Sequence, residues 1–187
     1  MIMAQRHITP KIDVPTFLDW AADQNGDERF ELVDGYIYAM SREGRAHADA
    51  KGGIFAQFRE QLKDSPCRPY VDSLGVQVDD ESYRIPDVVV DCEPDVGTDF
   101  IAGSPAIVVE VVSPSSKARD VHAKYWEYMR LESVLHYLVV FTDRRIVKLH
   151  SRTSGQDIVQ TEHMTGSLSL MPPSLTLDLD ALFGDLA

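Results

Sequence analysis

The chain has 187 residues, a net charge of −12 and 44% apolar residues, enough for one domain whose core buries roughly 70% of the unfolded surface. A composition near the globular average excludes a mostly disordered chain. Cys67 and Cys92 are its two cysteines, which excludes a disulfide framework and a four-cysteine zinc site.

The first 12 residues predict a loose arm ahead of a single domain spanning residues 1–187. Thr16 to Ala22 predicts a short helix, with Pro15 near its start and Asn25-Gly26-Asp27 after its end. Arg29-Phe30-Glu31-Leu32-Val33 and Tyr36-Ile37-Tyr38-Ala39-Met40 flank Asp34-Gly35, the pattern of a β-hairpin carrying Glu31 on its first strand. From Ala46 to Leu62, Ile54, Phe58 and Leu62 recur every fourth residue, which predicts a helix with His47 in its first turn. Gly52-Gly53 inside that helix suggests close packing or the approach of a ligand.

Val71 to Val78 predicts a strand, and so does Tyr83 to Asp91, with Pro86 at its beginning. The apolar run within Tyr83–Asp91 is typical of an interior strand, and Ala106 to Val112, almost wholly apolar but interrupted by Glu110, is the most strand-like segment of the chain. Ser113-Pro114-Ser115-Ser116 ends it and offers helix N-caps. Lys117 to Leu131 predicts a helix, and Leu135–Phe141 and Ile146–His150 predict two more strands. Short strands and a turn near Asp180 follow, as an extension of the same domain over residues 151–187. This order predicts an α/β sandwich with a mixed central β-sheet flanked by helices.

The chemistry concentrates on a few residues. Asp87 follows Pro86, Glu110 interrupts an apolar strand, and Lys124 lies on the next helix, four residues after Asp120. A buried carboxylate requires a cation, a donor or a metal. Asp87 and Glu110 on neighbouring strands would supply hard oxygen ligands for Mg2+ or Mn2+. Spacing alone is a weak signal and leaves an ordinary buried ion pair open. The charge is uneven as well: residues 71–110 carry −9, whereas 42–70 carry +2 and 111–152 carry +4. So acidic a chain repels phosphate at long range. The pattern is either a solvated acidic surface or a cation-binding cluster between flanks that tolerate phosphate.

No apolar run approaches the roughly 20 residues of a membrane span, and Met1 to Lys11 lacks the apolar region of a signal peptide. Two unpaired thiols suit a reducing compartment. Together these predict a cytoplasmic protein with no membrane partner.

Phe30-Glu31-Leu32-Val33-Asp34-Gly35, His47, Ile85-Pro86-Asp87-Val88-Val89-Val90, Val109-Glu110-Val111-Val112-Ser113-Pro114-Ser115-Ser116, and Asp120, Lys124 and Tyr128 occur in that order. In this arrangement the chain resembles the Uma2 family, grouped with the restriction-endonuclease-like PD-(D/E)XK nucleases. The resemblance implies a restriction-endonuclease-like fold and a DNA endonuclease in which Mg2+ or Mn2+ activates water. Asp87 and Glu110 match the metal-binding acidic positions, Glu31 an N-terminal acidic residue, and His47 a family histidine. The superfamily's usual lysine position holds Val112. The resemblance therefore passes the lysine role to the following helix, where Lys124 matches and Lys117 is the alternative. A homodimer follows by analogy with restriction enzymes. The rival expectation is a non-catalytic nuclease fold that binds nucleic acid or a protein partner.

Overall fold

A computed structural model describes residues 10–24, 28–96, 98–112 and 118–184, with 118–120 described by backbone alone. Its element order is α1 (Val14–Ala22), β1 (Phe30–Val33), β2 (Tyr36–Ala39), α2 (Arg45–Gln61), β3 (Arg68–Val71), β4 (Val76–Asp79), β5 (Ser82–Arg84), β6 (Val88–Asp91) and β7 (Pro105–Val112), then α3 (Ala118–Met129), β8 (His136–Phe141), β9 (Ile146–Arg152), β10 (Ile158–His163), β11 (Ser167–Leu170), β12 (Leu175–Asp178) and α4 (Leu179–Gly184).

A six-stranded sheet, ordered β10-β9-β8-β7-β6-β3, forms the centre. Strands β7 and β8 are parallel, with α3 between them in sequence, and the other neighbours are antiparallel. The expected mixed central sheet is therefore present. On one face, Val88, Val90, Ile107 and Val109 pack with Ala50, Ile54 and Phe58 of α2 and with leucines of β11, β12 and α4. On the other, Val89, Val108 and Val139 pack with Tyr128 and Met129 of α3. The alternation of side chains along each strand separates these two cores. A smaller four-stranded sheet, β2-β1-β5-β4, carries a third cluster built from Val14, Phe17, Leu32 and Tyr83.

The hairpin β1–β2 forms as expected. Asp34 and Gly35 both have positive φ, 50° and 78°, the conformation that a tight two-residue turn demands. Residues 10–12 are attached to it, since the Ile12 N–H donates to the Gly35 carbonyl at 3.0 Å. The expected arm over residues 1–9 lies outside the described residues. In α1, Asp13 caps the helix by accepting from the Thr16 N–H at 3.0 Å.

Three expectations require correction. The run from Val71 to Val78 is two strands in different sheets, because the chain turns at Asp72, whose φ is +58°. The run from Tyr83 to Asp91 also divides, into β5 and β6. Pro86, which has no N–H to give to a ladder, lies in the step from one sheet to the other. Cys67 and Cys92, expected as free thiols, form a disulfide. The β3–β6 register pairs Arg68 with Asp91, so the next residues outward meet across the two strands, with Cα atoms 3.8 Å apart. With both cysteines bonded, no free thiol remains to point to a reducing compartment. Among the described residues no helix is long and apolar enough to cross a membrane.

The glycine pair in α2 is explained in half. A Cβ on Gly53 would meet Leu182 of α4 at 3.4 Å, whereas one on Gly52 would meet nothing. Gly75 is the tighter position. A Cβ there would come within 2.0 Å of the Tyr83 ring, whose hydroxyl donates to the Phe100 carbonyl at 2.7 Å. Gly75→Ala is expected to destabilise the fold by about 1–3 kcal/mol, as a fall in the urea midpoint would report.

Candidate active site at the seam of two sheets

The candidate residues gather where the chain passes between sheets. Glu31 lies on β1, Asp87 immediately before β6, Glu110 near the end of β7, Lys124 on α3 and His47 in the first turn of α2. Val88 pairs with Val109, so Asp87 and Glu110 are the next residues outward on adjacent strands. Asp87 is 6% exposed, and its Oδ2 accepts from the Val111 backbone N–H at 2.6 Å.

Lys124 is buried and holds the cluster together. Its Nζ donates to both Glu110 oxygens, at 3.0 and 2.9 Å, and lies 3.5 Å from Glu31 Oε1. The Tyr128 hydroxyl donates to Glu110 Oε1 at 2.8 Å. Lys124 and Tyr128 are one helical turn apart on α3, so one helix face serves one carboxylate. Burial pushes the Glu110 carboxyl up to about 7 against the opposing pull of Lys124, with Asp87 and Glu31 adding to the rise. For Glu31, burial also pushes upward, but Lys124, Arg84 and the Ile85 N–H hold it below its ordinary value. The Lys124 ammonium is raised: Glu110 and Glu31 outweigh the desolvation that would lower it. The same surroundings, burial first and then the Glu110 and Glu31 charges, raise the Tyr128 phenol.

Arg84 of β5 fastens this arrangement from behind. It forms a fork with Glu127 of α3, both contacts at 2.7 Å, and reaches Glu31 Oε2 at 3.0 Å. The Ile85 N–H donates to the other Glu31 oxygen at 3.1 Å. Arg84 thus ties the small sheet to α3 and fixes the face that α3 turns toward Glu110.

On the α2 side, His47 Nε2 lies 2.8 Å from Asp87 Oδ1 and 3.8 Å from Glu43 Oε2. Burial lowers the proton affinity of the ring, but Asp87 and Glu43 raise it further, so the net shift is upward. Glu43, His47 and Asp87 each offer a ligand atom, all within 4.8 Å of one another. Lys51, one turn beyond His47, contacts Glu43 and bonds Asp72 at 2.8 Å, and Arg29 also pairs with Glu43 and Asp72.

Glu31, Asp87, Glu110 and Lys124 are therefore brought together, with His47 joined to Asp87. The group of three ligand atoms includes Asp87 but not Glu110, whose oxygens already bond Lys124 and Tyr128. Lys124 is buried, and its partners are the buried Glu31 and the half-buried Glu110. The alternative lysine, Lys117, and the expected caps from Ser113 lie outside the described residues, as does the side chain of Asp120. Of the neighbouring aromatics, Tyr128 is buried and Trp126 is 60% exposed.

Sequence reasoning missed Glu43, Lys51, Arg84 and Glu127. A signal existed for the first two, since Glu43, His47 and Lys51 recur every four residues, with His47 and Lys51 on one face of α2 and Glu43 just ahead of its first turn. No local signal marks Arg84, because its partners are 53 and 43 residues distant.

Known proteins agree with this architecture. A crystal structure from Anabaena variabilis ATCC 29413, described as that of "a putative nuclease belonging to DUF820", superposes with a TM-score of 0.77 at 14% identity, over 94% of this chain and 99% of that one. At that identity the likeness establishes the fold. The uncharacterized protein slr1290 of Synechocystis sp. (strain ATCC 27184 / PCC 6803 / Kazusa) is 30% identical over 182 residues, covering 95% of this chain and 94% of the relative. The family model "Uma2: Putative restriction endonuclease" matches residues 14–181, a span that contains each candidate residue described above, and the chain belongs to the Uma2 family.

Proposed function

We propose that the chain is a divalent-metal-dependent endonuclease that hydrolyses phosphodiester bonds in DNA. The observation that carries this reading is the meeting of Asp87, Glu110 and Lys124 at the seam, with Lys124 Nζ 2.9 Å from Glu110 Oε2. The family description, "Putative restriction endonuclease", and the neighbour's description, "a putative nuclease", support it.

The residues fit a hard or borderline cation. Two carboxylates and an imidazole offer ligand atoms within 4.8 Å of one another; the carboxylates suit Mg2+ or Mn2+, and the imidazole nitrogen favours the softer Mn2+ of the two. Asp87 would hold the ion with Glu43 and His47, and Glu110 is the adjoining carboxylate expected as its second ligand. A bound divalent ion supplies Lewis acidity, lowering the pKa of water and offsetting negative charge on phosphorus-bound oxygens.

The chain's own residues supply the rest. Lys124, steadied by Glu110 and Glu31, holds an ammonium at the seam, where it stabilises charge developing on the scissile phosphate. Tyr128 fixes the orientation of the Glu110 carboxyl. Glu31, anchored by Arg84 and the Ile85 N–H, sets how far Lys124 reaches. The buried, low-dielectric surroundings strengthen each of these interactions.

Duplex DNA, single-stranded DNA and RNA, each incubated with protein and Mg2+, Mn2+ or EDTA, test the proposal. Metal-dependent cutting of duplex DNA that disappears in Asp87→Asn is the expected result. Equal cutting in EDTA, or cutting of RNA alone, would overturn it.

A further inference from the structure

Lys51 is a lysine at 4% exposure inside a helix, and the proposed chemistry leaves it without a role. Its Nζ contacts Glu43 Oε2, bonds the two Asp72 oxygens at 2.8 and 2.6 Å, and stands 4.0 Å from Asp87 Oδ1. Glu43 Oε2 and Asp87 Oδ1 are also the oxygens that face His47 Nε2, at 3.8 and 2.8 Å. The ammonium thus sits among the donors that a divalent ion requires.

We infer that Lys51 is a resident cation of the Glu43–His47–Asp87 site, competing with the divalent ion for Glu43 and Asp87 and withdrawing onto Asp72 when that ion binds. The inference rests on the proposed metal site and adds its regulation by a residue of the chain itself. Three carboxylates this close repel one another unless cations intervene. Lys51 and Arg29 supply two positive charges against Glu43, Asp72 and Asp87, so two of the three negative charges are offset before any metal arrives. The site is in this way preassembled, and an arriving ion must take oxygens from an ammonium.

Asp72 makes the exchange cheap. It is not a member of the ligand group, its side chain is 32% exposed, and it already holds Lys51. Withdrawal therefore costs Lys51 its contact with Glu43 while leaving it paired, so the lysine is never buried alone. Arg29 has a different place. It pairs with Glu43 Oε1 and Asp72 Oδ1, each at 2.7 Å, away from the oxygens that face His47. It carries the same charge as Lys51 without standing in the cation's position, which makes it the control.

Titration calorimetry with Mn2+ on the full chain tests the competition directly, with circular dichroism and a cooperative melt as checks of folding. Lys51→Met keeps the apolar stem and removes the charge, and Lys51→Gln serves if the first variant does not fold. The Lys51 variant is expected to bind Mn2+ about tenfold or more tightly than wild type, within the usual range of coupling between two ligands. Arg29→Met is expected to gain distinctly less, and Asp87→Asn to lose binding. Affinity unchanged or weakened in a folded Lys51 variant would overturn the inference and leave the metal site standing. An equal gain in Arg29→Met would reduce it to a general charge effect and overturn it as well. Absence of Mn2+ binding in wild type and Lys51 variants alike would remove the metal site and the inference together.

Discussion

Arg84→Met is expected to lower the unfolding free energy by about 3–5 kcal/mol, the usual cost of removing one partner from a buried ion pair. Arg84 is 4% exposed and serves two carboxylates, forking onto Glu127 and reaching Glu31. Methionine fills much of the space but leaves Glu127 without its forked donor and Glu31 with only Lys124 and the Ile85 N–H. Urea denaturation of the two proteins measures the loss. In the Arg84→Met background, Glu127→Gln should recover part of the stability, because a neutral amide is cheaper to bury than an unpaired charge. A loss under about 1 kcal/mol, the scale of an exposed surface pair, would show that the Arg84 network is solvated and does not anchor α3.

Lys124→Met is the second large effect, read in turnover. Removing one preorganised charge at a developing oxyanion costs about 10²–10³ in kcat, and DNA cleavage by this variant should fall by that amount. Its melting temperature should also fall, because Glu110 and Glu31 lose the cation they share. Lys124→Arg keeps the charge but not the point geometry, so it should restore stability more fully than turnover. Equal recovery of both would make Lys124 a structural cation, and full activity in Lys124→Met would remove it from the mechanism.

Much of the site was legible in the sequence because its chemistry conflicts with its surroundings. Glu110 stands out inside an apolar strand, and a carboxylate so placed must have a partner. Pro86-Asp87 announces the start of a buried strand, and Asp34-Gly35 announces the hairpin that carries Glu31. Lys124 was legible by resemblance, and only tertiary packing aims it at Glu110.

Other features were hidden for physical reasons. Alternation along a strand predicts which residues face a core but not which sheet receives them. Val71–Val78 and Tyr83–Asp91 therefore read as single strands although each joins two sheets. The Cys67–Cys92 disulfide depends on the β3–β6 register, which no local pattern encodes. Arg84 looked like an ordinary strand residue because its partners come from β1 and α3. Glu43 lies just before α2, outside the apolar spacing that predicts that helix, although it stands four residues from His47.

The central claim is that Glu110 lies at a metal-dependent phosphodiesterase centre. Cleavage of supercoiled plasmid by wild type and Glu110→Gln, each with Mg2+, Mn2+ and EDTA, tests it most directly. Gln keeps an acceptor for Lys124 and Tyr128, so the fold should survive while the charge is lost. The account predicts nicked and linear DNA from wild type with metal, none in EDTA, and none from the folded variant. Equal cleavage by wild type and Glu110→Gln, or no cleavage by folded wild type in either metal, would contradict it.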